Sequence, residues 1–347
     1  MGKFGEDVDD VTRATEPPVI DAHGHTLDQA FDTHRHLHEA LGGLTDVPMM
    51  RAGGVAAQLT ACWVPDAAIG GPHASRQPLR KLLQMVDYLH NELNGPAGDH
   101  VTLAACADDI EAARADGKVA LILGLEGGDA LRGDVSLLRT LHRLGLRHVG
   151  LVHEGRNALG TATQVWNGPE MRVHDSNIDG PGGLTPAGQA VVGEMNRLGM
   201  LVDVTHMEAA TFRDTLAITT SPVVATHGNA RALRDTPRYF DDDQLRAIAA
   251  TGGLICPSPT PLGPTPEAAA LELLLDHIDH MVALVGPDHV GFGTDFLGQV
   301  EARPAGVGDI SEVGHLMAGL RARGYEHGTI EKIAGGNFVR VFEAVAG

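Results

Sequence analysis

Cysteine is scarce in this chain of 347 residues, which has only Cys62, Cys106 and Cys256 at unpaired spacings. An odd, scattered set indicates neither a disulfide framework nor a thiolate metal site, and it fits a reducing, cytoplasmic compartment. Positive charge is also in short supply. Lys and Arg number 26 against 45 Asp and Glu, a formal net charge of −19 with a sequence pI near 5.3. Such a surface repels nucleic acid and anionic membranes at long range. No stretch reaches the roughly 18 apolar residues of a membrane span, and the acidic, polar Met1–Pro18 has no apolar core of a secretory signal. These absences leave a cytoplasmic chain with a small-molecule partner, and neither nucleic acid nor membrane, as the expectation.

What is present supports a large core: 43% of residues are hydrophobic and 20% charged. Short β-branched or apolar runs recur, each followed by a helical periodicity, which is the pattern of repeated βα units around a parallel sheet. The runs are 18–22, 56–64, 119–125, 148–152, 200–204, 222–226, 253–257 and 289–294. Expected helices include 79–92, 107–116, 135–144, 186–198, 242–250 and 266–284, with a closing helix over 328–346 in which Gly335-Gly336-Asn337 reads as a local kink or cap. Eight such units make a (β/α)₈ TIM barrel, and with no linker dividing the chain the expectation is a single domain over 1–347 with a peripheral segment 1–17. The Gly- and Pro-rich stretches Gly70–Pro72, Gly155–Gly183 and Pro257–Pro266 read as extended βα loops walling the active site.

Nineteen histidines are many for an acidic chain, and their places matter more than their number. His34, His36 and His38 alternate with polar residues and read as a solvated surface. His277 and His280 lie on a helical periodicity and read as packed or surface histidines. His23 and His25, in V-I-D-A-H-G-H, follow a strand on one face, so both rings can reach one metal. Glu126 ends L-I-L-G-L-E, where a buried carboxylate is costly without a compensating cation; a structural ion pair with arginine is the plainer alternative. His206 ends L-V-D-V-T-H, His227 ends V-V-A-T-H and Asp295 ends V-G-F-G-T-D. Any one of these could be an ordinary hydrogen-bonded side chain. Five strand ends carrying His, Glu or Asp, at the rim where barrel enzymes place catalysis, point instead to a metal site. Nitrogen and carboxylate donors without thiolates suit Zn²⁺ or a similar divalent ion with an open position for water. Such an ion lowers the pKa of bound water to about 7 and polarises a carbonyl, and Asp295 could carry the proton to the leaving nitrogen.

In order, these residues resemble the membrane (renal) dipeptidase family, peptidase family M19 of the amidohydrolase superfamily. The likeness runs over nearly the whole chain, most specifically in G-L-E-G-G-D-A-L around Glu126, G-L-T-P-A-G-Q-A-V-V-G-E-M-N-R-L-G-M before His206, T-H-G-N-A-R-A-L from His227, D-H-V-G-F-G-T-D-F around Asp295 and the closing G-G-N-F-V-R-V-F. The resemblance implies two zinc ions bridged by Glu126, one also held by His23, His25 and Asp295, the other by His206 and His227. It implies that His153 contacts the scissile carbonyl and stabilises its oxyanion, and that Arg238 pairs with the substrate carboxylate, which a guanidinium fork can hold bidentately. It also implies a dipeptide substrate, with a D-residue tolerated on the C-terminal side, and is compatible with a homodimer. Three positions depart from the family. His25 stands where His-x-Asp is usual, making the site one charge more positive; Leu297 and Gly298 follow Asp295-Phe296 where the family has D-F-D-G; and Tyr239 follows Arg238 where an asparagine is frequent. The alternatives are an amidohydrolase acting on an N-acyl amino acid, lactam or biosynthetic amide, and a non-catalytic metal-binding barrel.

Overall fold

The structure, a computed structural model, describes residues 18–69, 74–167, 170–259, 270–297 and 305–347. The segment 1–17, the loop Gly70–Pro72, Gly298 and most of 257–266 lie outside the described residues. Seven parallel strands, β1 (Val19–Gly24), β2 (Val55–Trp63), β4 (Val119–Glu126), β5 (Leu146–Gly150), β8 (Leu201–Asp203), β9 (Val223–Ala225) and β10 (Leu254–Ile255), pair in that order. A short β3 (Val101–Leu103) pairs with the start of β4. Strand β4 shows why this sequence makes such a sheet: all its residues are buried, as a parallel strand covered on both faces requires. With side chains alternating, Ala120 and Ile122 share the face of Glu126 and pack with Leu59, Leu201, Val224 and Leu254. Leu121, Leu123 and Leu125 take the opposite face and join the larger apolar cluster beneath the helices.

Each expected helix forms among the described residues, the start of 266–284 lying outside them. Pro186–Leu198 illustrates the local logic, since the Thr185 hydroxyl accepts from Gly188 N at 3.0 Å, Pro186 opens the first turn, and Gly199 ends it in the left-handed region. The closing helix bends at Gly335, as the Gly-Gly-Asn sequence led us to expect. Three features differ from expectation, the first being β3, which no expected run covers. Within 155–183, read as loop, Gln164–Asn167 (β6) and Glu170–Val173 (β7) form an antiparallel hairpin. The expected eighth strand, 289–294, is not a regular strand; it bridges Ile255 through Val290, and its backbone bonds reach both edges of the sheet. Gly291 N donates to Ile255 O at 2.9 Å, Ala22 N to Phe292 O at 3.1 Å and Asp295 N to His23 O at 2.8 Å. Gly293 makes this approach sterically possible, because a Cβ there would lie 2.0 Å from Thr226 O and 3.2 Å from His23 N.

Candidate active site

Every site residue expected from the sequence lies at the ends of these strands, around Glu126. One carboxylate oxygen, Oε1, faces four imidazole Nε2 atoms: His206 at 3.1 Å, His227 at 3.4 Å, and His23 and His153 at 3.5 Å. The other, Oε2, faces His25 Nε2 at 3.5 Å, which is also 3.5 Å from Asp295 Oδ1. His206 Nε2 and His227 Nε2 are 3.0 Å apart. Arg238 reaches in from the loop after β9, its Nη2 lying 3.2 Å from His206 Nε2. The backbone turns sharply at two of these groups: His206 and Asp295 have φ of 68° and 54°, a region uncommon for non-glycine residues, though His and Asp enter it more readily than most. Beside Glu126, Gly127 has φ 82°, a conformation that strains any L side chain, and a Cβ there would crowd the His153 Cβ at 3.2 Å.

A divalent cation fits this cluster. A carboxylate oxygen cannot accept from four imidazoles at once, and the buried His23 Nε2 has no hydrogen-bond partner among the described residues. Ligand atoms of His23, His25 and Glu126, and again of Glu126, His206 and His227, lie close enough together to share an ion. A third grouping, His23, Asp203 and His227, is of another kind, because Asp203 is consumed by hydrogen bonds from Thr205, Thr226 and His148.

Electrostatics divide the histidines. Burial would push Glu126 up, but His153 and His23 foremost hold it well below the usual carboxylate range. Burial disfavours a charged His23 or His25, yet Glu126 for the first, and Asp28 and Asp295 for the second, raise both above the ordinary imidazole value. His206 and His227 go the other way, lowered by burial and then by Arg238 and His23 respectively. His153 is likewise lowered by burial. Two cation-favouring rings and three neutral ones therefore surround one anion.

A second layer of polar groups holds the first, and the sequence reading missed it. Thr226 Oγ1 gives its single proton to Asp203 Oδ2 and lies 3.1 Å from His23 Nδ1 and 3.2 Å from His227 Nδ1. Having no proton left, that oxygen accepts from both rings, so that in their neutral forms each Nε2 is the lone pair on the Glu126 side, free to ligate a cation. Asp21 accepts from Thr294 N at 2.7 Å and Thr294 Oγ1 at 2.8 Å, tying the residue before Asp295 to the strand that carries His23. The signal was available: Asp21 and Asp203 are carboxylates inside apolar strands, the same anomaly that singled out Glu126. A cavity of about 320 Å³ opens over the cluster, lined by His153, Gln164, Asn229, Arg234, Arg238 and Asp295 among others.

The chain matches the family described as membrane dipeptidase, peptidase family M19, along residues 9–347. It belongs to that family. This M19 chain is 30% identical to dipeptidase verJ of Clonostachys rogersoniana over 311 residues, covering 87% of this chain and 76% of the relative. It is 32% identical to dipeptidase aclJ of Aspergillus oryzae over 310 residues, covering 88% and 70%. A solved metallopeptidase from Rhodobacter sphaeroides, bound to a phosphinate mimic of the dipeptide L-Ala-D-Ala, superposes with a TM-score of 0.83 at 28% identity, over 95% of this chain and 99% of the other. As an M19 member, the chain is a metal-dependent hydrolase.

Proposed function

We propose that this M19 protein is a dipeptidase working with two zinc ions, in a single (β/α)₈ domain whose 290–296 segment stands in for the eighth strand. The observation that carries the reading is the convergence of six candidate ligands in one cluster, beneath a cavity lined by His206, His227, Asp295 and the Arg238 guanidinium. His23, His25 and Asp295 would hold one ion, His206 and His227 the other, and Glu126 both. Bound there, divalent ions supply Lewis acidity and water with a pKa near about 7.

The protein groups have separable tasks. Arg238 lines the cavity and pairs with the free carboxylate of a dipeptide, a charge-assisted contact that fixes which amide faces the ligand cluster. His153, held neutral by burial, keeps one N–H to donate to the carbonyl oxygen as charge develops on it. Asp295 has a side chain 20% exposed at the cavity edge, so it can take a proton from the attacking water and return it to the leaving nitrogen. The resemblance to a protein solved with an L-Ala-D-Ala mimic supports L-D dipeptides as part of the substrate range.

The deciding experiment is elemental analysis of the purified protein together with hydrolysis of L-L and L-D dipeptides and N-acyl amino acids, using wild type and Arg238→Met. We expect about two divalent ions per chain and dipeptide turnover, with kcat/KM reduced about 100-fold in Arg238→Met, equivalent to about 2.7 kcal/mol. Turnover of acyl amino acids alone would replace the dipeptide substrate, and a chain that takes up no metal would overturn the site.

A further inference from the structure

His25 is held from behind. Its Nδ1 lies 2.9 Å from Asp28 Oδ2, three residues on, in the first turn of the helix Thr26–Thr33. Asp28 does not cap that helix, since His25 is the capping residue and has no side-chain cap bond. Its carboxylate is fixed instead by the end of β2: Trp63 N donates to Oδ2 at 3.1 Å and is 3.4 Å from Oδ1. The two side chains are 3% and 15% exposed, so their charges are poorly screened.

A carboxylate only accepts, so the shared proton belongs to His25 Nδ1. In the neutral ring Nε2 is then the lone pair, and it lies 3.5 Å from Glu126 Oε2 and 3.5 Å from Asp295 Oδ1. An imidazole lone pair beside the Glu126 carboxylate, with His23 close enough to share the same ion, forms a donor set for a divalent cation. Without Asp28 the ring could equally carry its proton on Nε2 and turn a donor toward the cation.

We infer that Asp28 is the positioning residue of the first metal site: it fixes His25 as the Nδ1–H tautomer and returns, from one ring's width away, the negative charge that an acidic residue at position 25 would supply directly. This rests on the metal site proposed above and deepens it. The arrangement is written locally in the sequence as His25-x-x-Asp28 at a helix start, the spacing that lets a first-turn carboxylate reach back over the preceding residue.

The test is zinc affinity measured by chelator competition on wild type, Asp28→Asn, Asp28→Glu, His25→Asp and the His25→Asp/Asp28→Asn double variant. Ring ¹⁵N shifts of the zinc-loaded proteins are recorded alongside. We expect Asp28→Asn to weaken one of two sites 10- to 100-fold, Asp28→Glu to recover part of that loss, and Asp28→Asn to cost less than about threefold in the His25→Asp background, where the ligand itself is anionic. In wild type, His25 should show a protonated Nδ1 and a ligated Nε2. Equal losses in Asp28→Asn and Asp28→Glu, or unchanged affinities and shifts in Asp28→Asn, would overturn the inference while leaving the metal site standing. If Asp28→Asn does not fold, the Asp28→Glu affinity and ring shifts decide in the same way. Wild type that binds no zinc would instead defeat the metal site itself.

Discussion

Thr226 shows how much a single residue can fix at this site. Its hydroxyl has one proton and two lone pairs, all committed: the proton to Asp203, the lone pairs to His23 and His227. Those two histidines belong to different halves of the proposed zinc pair, so one oxygen sets the tautomer of both. Thr226→Val keeps the shape and removes the hydroxyl. We expect it to weaken both zinc sites, by about 10- to 100-fold each, read by chelator competition; loss confined to one site would show that the hydroxyl serves only that half. At this scale the sequence was legible where a side chain breaks the apolar pattern of a strand end, as Glu126, His206, His227 and Asp295 do. It was not legible where the partner lies far along the chain: Thr226 contacts His23 across 203 positions, and an ordinary threonine gives no sign of that. The φ of 68° at His206 and 54° at Asp295 was equally hidden, because His and Asp enter that region only occasionally and nothing in the local pattern marks where they do.

Among the elements, the helix Ala270–Val285 does more than cover the sheet. His277, on its buried side, accepts a hydrogen bond from Ala230 N at 3.1 Å and meets the Tyr239 ring edge-on at 5.7 Å, so it props the loop that delivers Arg238. The packed reading of His277 made from the periodicity agrees with this place. Burial, with His280 adding and Asp276 opposing, pushes its pKa down to about 4, keeping the ring neutral and able to accept. Unfolded, the ring titrates near about 6.5. Between those values only the unfolded chain binds the proton, so stability falls as pH drops from about 6.5 to about 4, by up to about 3 kcal/mol. Urea unfolding at pH 7 and pH 4.5 should show a smaller decline in His277→Gln, whose side chain has no charge to gain; parallel declines would clear His277 of the effect. Seven of the eight strands and the principal helices were legible because apolar runs and 3.6-residue periodicity survive in them. The hairpin of β6 and β7 was not, since β7, with side chains largely exposed, needs no apolar run. The eighth strand was half-legible: V-G-F-G-T-D announces an extended buried segment, but its glycines trade ladder regularity for close approach to β1 and β9.

Across the whole molecule, negative charge is in excess, and part of it is gathered where a cation would relieve it. Two ions bound only by the folded chain stabilise it by mass action, about 2.7 kcal/mol for each site at a free concentration 100 times its dissociation constant. Thermal unfolding with excess zinc and with excess chelator should therefore differ by several degrees, and identical midpoints would contradict tight binding to the native state. The absence of a long apolar run also holds in three dimensions: among the described residues no helix is long and apolar enough to cross a membrane. The bonds between β1 and the 290–296 segment, exemplified by Asp21 and Thr294 at a separation of 273 positions, have a temporal consequence. At about 5–20 residues per second of synthesis, roughly 15 to 55 s pass between the making of these two residues. During that interval a growing chain can possess His23, Glu126, His206 and His227 yet lack Asp295 and the segment that ties it to β1, so the proposed ligand set is complete only after most of the polypeptide has been made.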